Sequence, residues 1–163
     1  MYNARKEVFT MKYTTPFGPI WLAASDKGIT EVAFEPLPES ENNVLLQQAS
    51  RQLSEYFAGT RRHFELPLDY QGTAFQEAAW QGLLTIPYGT TWNYQELATA
   101  IGRPKAIRAV GQANRRNPLA ILIPCHRVIG KNGKMTGYGG PSEAGLRFKE
   151  QLLALERQSR QSS

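Results

Sequence analysis

Residues 121–128 read Ile-Leu-Ile-Pro-Cys-His-Arg-Val, and Cys125 among them is the single cysteine of a 163-residue chain. Pro124 breaks the apolar run that leads into it, so Cys125 is expected at a turn, where reactive side chains are commonly presented. Such a thiol has two readings. Free cysteines are most often small buried hydrophobes. A thiol at a turn, followed by a histidine and set among cations, is instead a candidate nucleophile, because positive charge favours the thiolate. The adjacency of His126 does not make a dyad, since consecutive side chains often diverge. One cysteine excludes an intramolecular disulfide and any zinc site needing two thiolates. With His63 and His126 the two histidines of the chain, no structural metal is expected.

Outward from this stretch, the charge is uneven. Residues 1–70 hold seven Lys/Arg against nine Asp/Glu, whereas 71–163 hold twelve against five. Within 101–134 stand eight basic residues and no acid: Arg103, Lys105, Arg108, Arg115, Arg116, Arg127, Lys131 and Lys134. A solvated surface and a face for a polyanion both fit such a cluster. The composition, 41% hydrophobic and 20% charged, is that of an ordinary globular chain. No stretch approaches the roughly 20 apolar residues of a membrane span. The N-terminal MYNARKEVFTMKY lacks the apolar core of a signal peptide. A cytoplasmic protein without membrane contact is expected.

The punctuation divides the chain into 1–70 and 71–163. In the first part, Val8–Thr14, Ile20–Ser25 and Ile29–Glu35 read as an antiparallel meander, turning at Pro16-Phe17-Gly18-Pro19 and Asp26-Lys27-Gly28. A helix over Asn42–Ala58 follows, with Gly59 at its C-terminal cap. Arg61–Gly72 reads as the linker. Thr73-x-x-Gln76 and Asn93-x-x-Glu96 are capping-box patterns. They open helices running to about Thr85 and Ile101, and Pro104 suits the first turn of another over Lys105–Arg115. The last two, joined by Gly102-Arg103-Pro104, form a helix-turn-helix candidate, a spacing that many helix pairs share. Val128-Ile129 and Met135–Tyr138 suggest a small hairpin around Asn132-Gly133. Ser142–Gln158 reads as a closing helix with a frayed tail from Arg157. The expected fold class is α+β: a small antiparallel sheet with a helix, then a mostly helical part containing the helix-turn-helix.

Ile123-Pro124-Cys125-His126-Arg127-Val128 resembles the active-site motif of the O6-alkylguanine-DNA alkyltransferases, the methylated-DNA–protein-cysteine methyltransferases. Arg108-Ala109-Val110-Gly111, Asn117-Pro118 and Gly137-Tyr138-Gly139-Gly140 fall at the family's spacings around it. So do Asn93-Tyr94-Gln95-Glu96-Leu97 and Lys149-Glu150-x-Leu152-Leu153-x-x-Glu156. The likeness is close over 73–158 and holds as a pattern over 1–70, which implies a ribonuclease-H-like N-terminal domain ahead of a catalytic and DNA-binding domain.

The resemblance implies DNA repair by one irreversible transfer of an alkyl group from guanine O6 to Cys125, with O4-alkylthymine a second candidate substrate. No cofactor is required. The partner it implies is double-stranded DNA containing O6-alkylguanine, bound by a monomer, with cooperation along DNA left open. His126 would take the thiol proton through a water and Glu156 would orient the imidazole. Tyr94 would donate to the guanine. Arg108 would fill the gap left by the extruded nucleotide. Asn117 would tie the recognition helix to the cysteine loop, while Val128, Tyr138 and Gly139 border the pocket. Ala109, Gly111 and Ala113 would approach sugar edges in the minor groove, with Arg115 and Thr73 as further DNA contacts. Between Tyr138 and Lys149 the chain is longer than the common family spacing by about one helical turn, which bears on whether Glu156 stays in register with His126. A non-catalytic sensor of alkylated guanine and a helix-turn-helix regulator are the competing classes. Sensors of that kind carry tryptophan where this chain has Cys125, and a regulator would need a dimerisation segment that the sequence lacks.

Overall fold

The computed structural model describes residues 7–40, 43–131 and 143–161. The chain divides into two compact units, Met1–Tyr70 and Gln71–Ser163.

The first unit is built on strands β1 (Phe9–Thr15), β2 (Gly18–Ala24) and β3 (Ile29–Ala33), antiparallel and in that spatial order. Ile20–Ala24 are all buried, a central strand covered on both faces, so its apolar run is continuous where β1 alternates. Helix α1 (Val44–Phe57) packs on this sheet with Leu46, Ala49, Gln52, Leu53 and Tyr56 turned inward. Asn43 starts it, its side chain accepting the Leu46 N–H at 2.8 Å.

Residues 61–69 are not the free linker that their Pro and Gly content suggests. Leu68 bridges Ile29 in parallel. The Gln52 amide clamps Glu65 at both backbone groups, at 2.8 and 3.1 Å, and the Ser25 hydroxyl donates to Asp69 at 2.6 Å. Gly28 permits this docking, since a Cβ there would lie 2.7 Å from the Pro67 carbonyl oxygen. Long-range polar pairing therefore carries the first unit up to Tyr70.

The second unit holds α2 (Ala74–Leu83), β4 (Trp92–Asn93), α3 (Tyr94–Ala100), α4 (Ile107–Arg115), a 3-10 turn (Cys125–Arg127), β5 (Val128–Ile129) and α5 (Glu143–Gln161). Both capping boxes form, at Thr73/Gln76 and Asn93/Glu96. α4 starts two residues later than the proline suggests, because Pro104 and Lys105 stay in the turn and Ala106 is the N-cap. α5 runs past Arg157 to Gln161.

Val128-Ile129 pairs in parallel with Trp92-Asn93, which joins the residues just after the cysteine to the start of α3. The Asn132-Gly133 turn and its Met135–Tyr138 arm lie outside the described residues.

Candidate active site and nucleic-acid interface

The chain from Leu119 to Val128 is buried throughout. It turns sharply inside the unit, and Ile121 takes φ = +74°. A β-branched residue in that region is strained by about 1–3 kcal/mol and persists only where its surroundings over-determine it. Asn117 supplies part of that control. Its side-chain N–H donates to the Ile123 carbonyl at 2.9 Å and its oxygen accepts the Leu119 N–H at 2.9 Å. The same side chain hydrogen-bonds the Cys125 thiol.

Cys125 is 5% exposed and opens the 3-10 turn. The sequence suggested that neighbouring cations would favour its thiolate, and the structure reverses this. Burial pushes the thiol up from 9.0 to about 11, outweighing the Asn117 hydrogen bond and the Lys149 charge. Desolvation disfavours the charged form more than nearby cations recover, so the resting thiol is protonated at neutral pH.

His126 and Glu156 meet despite the longer connection between Tyr138 and Lys149: His126 Nε2 lies 2.7 Å from Glu156 Oε2. Their side chains are 0% and 1% exposed. Burial, opposed by the Glu156 charge, holds the imidazole below its ordinary value, so it is neutral at pH 7. Burial alone would raise Glu156, but the groups facing it, His126 and Arg127, outweigh that and hold its carboxyl well below the usual range. Of these two partners, Arg127 stays charged at any working pH.

Arg127 is the residue that sequence reasoning misplaced. Counted with the basic surface, it instead points inward, its Nε donating to Glu156 Oε1 at 2.8 Å and Nη2 to Oε2 at 3.1 Å. Nη1 donates to the Ile86 carbonyl at 2.8 Å, and the guanidinium lies 5.5 Å from the centre of the buried Tyr88 ring. The Gly89 N–H completes the carboxylate's set at 3.3 Å. Lys149, quoted in the motif without a role, is fully buried. Its ammonium donates to the Val128 carbonyl at 2.6 Å. Burial lowers Lys149 from 10.5 to about 8 against the pull of Cys125. A signal for Lys149 was present: Lys149, Leu152, Leu153 and Glu156 recur at helical spacing, one buried face of α5.

A second group of candidates lies on α4. Arg108, Ala109, Gln112 and Arg115 are exposed, and Gly111 is half-buried. Tyr94, the first residue of α3, joins Ile107, Arg108, Gly111, Gln112 and Arg115 around a groove of about 420 Å³. A Cβ at Gly111 would sit 3.8 Å from the Tyr94 ring, an ordinary contact. Ala113 does not belong to this face. It is 2% exposed on the inner side of α4, and its carbonyl accepts the Trp80 indole N–H at 2.8 Å, so it cannot approach a sugar edge. Thr73 is exposed and caps α2, accepting the Gln76 N–H at 3.1 Å. The Val128 N–H is turned onto the Cys125 carbonyl. Tyr138 and Gly139 lie outside the described residues.

Comparison with known proteins covers both units. Residues 74–158 match the family description "6-O-methylguanine DNA methyltransferase, DNA binding domain", and 8–70 match its "ribonuclease-like domain". A methylated-DNA–protein-cysteine methyltransferase of Methanosarcina acetivorans is 49% identical over 152 residues, 88% of this chain and 95% of that protein. The crystal structure of the Mycobacterium tuberculosis O6-methylguanine methyltransferase superposes with a TM-score of 0.84 at 42% identity, covering 94% of each chain. A structure of the same organism's protein in complex with DNA gives 0.83 at 42% identity, covering 93% of this chain and 94% of that one.

Proposed function

The chain belongs to the 6-O-methylguanine DNA methyltransferase family, and on that premise we propose that Cys125 takes the alkyl group from O6-alkylguanine in double-stranded DNA and keeps it. The activity is that of a methylated-DNA–protein-cysteine methyltransferase: DNA repair by direct transfer of an alkyl group to a protein cysteine. One observation carries the choice of residue. The reaction ends on a cysteine of the protein, and this chain has one.

A thiol raised to about 11 is not a nucleophile at rest, so its proton must leave once the substrate is seated. His126 is neutral and buried, with Nε2 directed at Glu156. Its other ring nitrogen, Nδ1, receives the proton through a water, while Glu156 holds the ring and stabilises the imidazolium. The Lys149 ammonium adds positive charge beside the sulfur as the thiolate forms. The Sγ–carbon bond then forms as the carbon–O6 bond breaks. The electron pair of that bond stays on the purine, which takes up a proton and becomes guanine. Tyr94 donates to the departing purine. A thioether does not hydrolyse, so each chain acts once.

Such chemistry cannot proceed on a stacked base. Arg108, exposed on α4, fills the space of the extruded nucleotide. Ala109 and Gly111 let the helix approach the minor groove, and Arg115 and Thr73 contact the backbone. Asn117 links α4 to the cysteine loop, while Val128, Tyr138 and Gly139 border the pocket. The 1–70 and 71–163 parts act as the ribonuclease-H-like and the catalytic domain of a cytoplasmic monomer. No helix among the described residues is long and apolar enough to cross a membrane.

The test is an intact mass. After incubation with duplex DNA carrying O6-methylguanine, the chain should gain one methyl in place of the thiol proton, and peptide mapping should put it on Cys125. An unchanged mass, or a methyl on another residue, refutes the proposal.

A further inference from the structure

We infer that Ile107 is an apolar wedge that enters the minor groove beside Arg108 and loosens the base step next to the extruded nucleotide. The inference rests on the DNA-repair reading above and adds to it a determinant of duplex specificity.

Four large hydrophobic side chains are strongly exposed among the described residues: Val8 at 46%, Val44 at 65%, Leu84 at 46% and Ile107 at 41%. Single exposed apolar residues are ordinary, so exposure alone carries nothing. Position does. Of these four, Ile107 is the one that lines the groove shared by Tyr94, Arg108 and Arg115. It is the first residue of α4, directly before Arg108. Helical spacing sets Ile107, Gly111 and Arg115 in one row, with Arg108 and Gln112 in the next. A duplex close enough for Arg108 to enter the stack and Arg115 to reach a phosphate therefore also meets Ile107.

The local chemistry fits insertion better than helix stability. A helix start favours Ser, Thr, Asp or Asn at its cap, yet the N-cap of α4 is Ala106, which gives no side-chain cap, and its first residue is isoleucine. The exposed neighbours Lys105 and Arg115 hold phosphates and leave the apolar contact to Ile107. A β-branched side chain is stiff at χ1 and loses little freedom on insertion. Apolar side chains placed between base steps unstack them and bend the duplex. Arg108 would then fill the vacated position while Ile107 lowers the barrier to vacating it.

The test compares single-turnover methyl transfer to Cys125 from O6-methylguanine in a duplex, the same lesion in a single strand, and benzyl transfer from free O6-benzylguanine. Ile107→Ala should lower the duplex rate about tenfold more than the free-base rate, the contribution of one buried aliphatic side chain. The single strand should follow the free base, and Ile107→Leu should recover most of the duplex rate. With 2-aminopurine next to the lesion, wild-type binding should raise fluorescence and Ile107→Ala should blunt the rise. Equal losses on all three substrates would make Ile107 a packing residue, and an unchanged duplex rate would make it a bystander; either overturns the inference. Failure of the underlying reading looks different: a wild-type chain that takes no alkyl group from any of the three substrates, which would remove the wedge with it.

Discussion

Replacing Glu156 by glutamine puts an NH2 where a carboxylate oxygen accepts from Arg127. The carboxylate, 1% exposed, receives His126 Nε2 at 2.7 Å, Arg127 Nε at 2.8 Å, Arg127 Nη2 at 3.1 Å and the Gly89 N–H at 3.3 Å. A carboxamide offers one accepting oxygen, so its NH2 must face a donor of Arg127 in either orientation. The guanidinium cannot deprotonate to relieve this. Leaving a buried charge short of its partner costs about 3–5 kcal/mol. For a chain of this size each kcal/mol lowers Tm by about 2–4 °C, so the variant should melt roughly 6–20 °C lower.

The rate should fall by more than folding explains. With the NH2 toward His126, Nε2 must accept and the proton moves to Nδ1, the tautomer that cannot take the thiol proton. Single-turnover transfer, measured well below the melting point, should slow about 10²–10⁴-fold. The pH dependence has a defined sign. Glu156 is depressed in the folded state, so its stabilisation is present above the ordinary value of 4.5 and fades as pH falls below it. The margin of wild type over Glu156→Gln should narrow in that direction. A glutamine variant that melts within 2 °C of wild type (the error of roughly 1 kcal/mol) and reacts at the wild-type rate would refute the account of this network.

Two further outcomes follow from the same geometry. Gly111→Ala should stabilise α4 by up to about 1 kcal/mol, since the added Cβ meets only the Tyr94 ring at 3.8 Å, while slowing reaction with duplex DNA; a variant that is both stabler and equally fast on duplex removes Gly111 from the DNA face. Lys149→Met should slow transfer at pH 7, where the ammonium is charged beside the developing thiolate, and the difference from wild type should shrink as pH rises through about 8. Single-turnover rates followed against pH would show this, and an unchanged rate at pH 7 would discount the Lys149 charge.

What could be read in advance was local chemistry. The Thr73/Gln76 and Asn93/Glu96 boxes involve neighbours three residues apart, and both form. The meander follows from alternation and turn residues in the same way. What was hidden depended on distant partners. Arg127 looked like one more surface cation because its carboxylate stands 29 residues away. The parallel pairing of Val128-Ile129 with Trp92-Asn93 was hidden because two-residue strands have no readable period and these two stand far apart in sequence. The 61–69 segment looked like a linker because the Gln52 clamp on Glu65 leaves no mark in a hydrophobic pattern. The ionisation of Cys125 was misjudged for a related reason. Cations near a thiol are visible in a sequence, whereas the desolvation that overrides them belongs to the folded chain.

That burial also governs how long an unused chain lasts. A protein that reacts once is lost whenever its thiol meets the wrong electrophile first. Peroxides, disulfides and small alkylating agents react with thiolate, and they need access to it. At 5% exposure and about 11, Cys125 presents neither. The feature that makes the resting sulfur sluggish thus acts as a safety catch, released when a lesion enters and the proton has somewhere to go, so idle copies should age slowly under oxidative conditions.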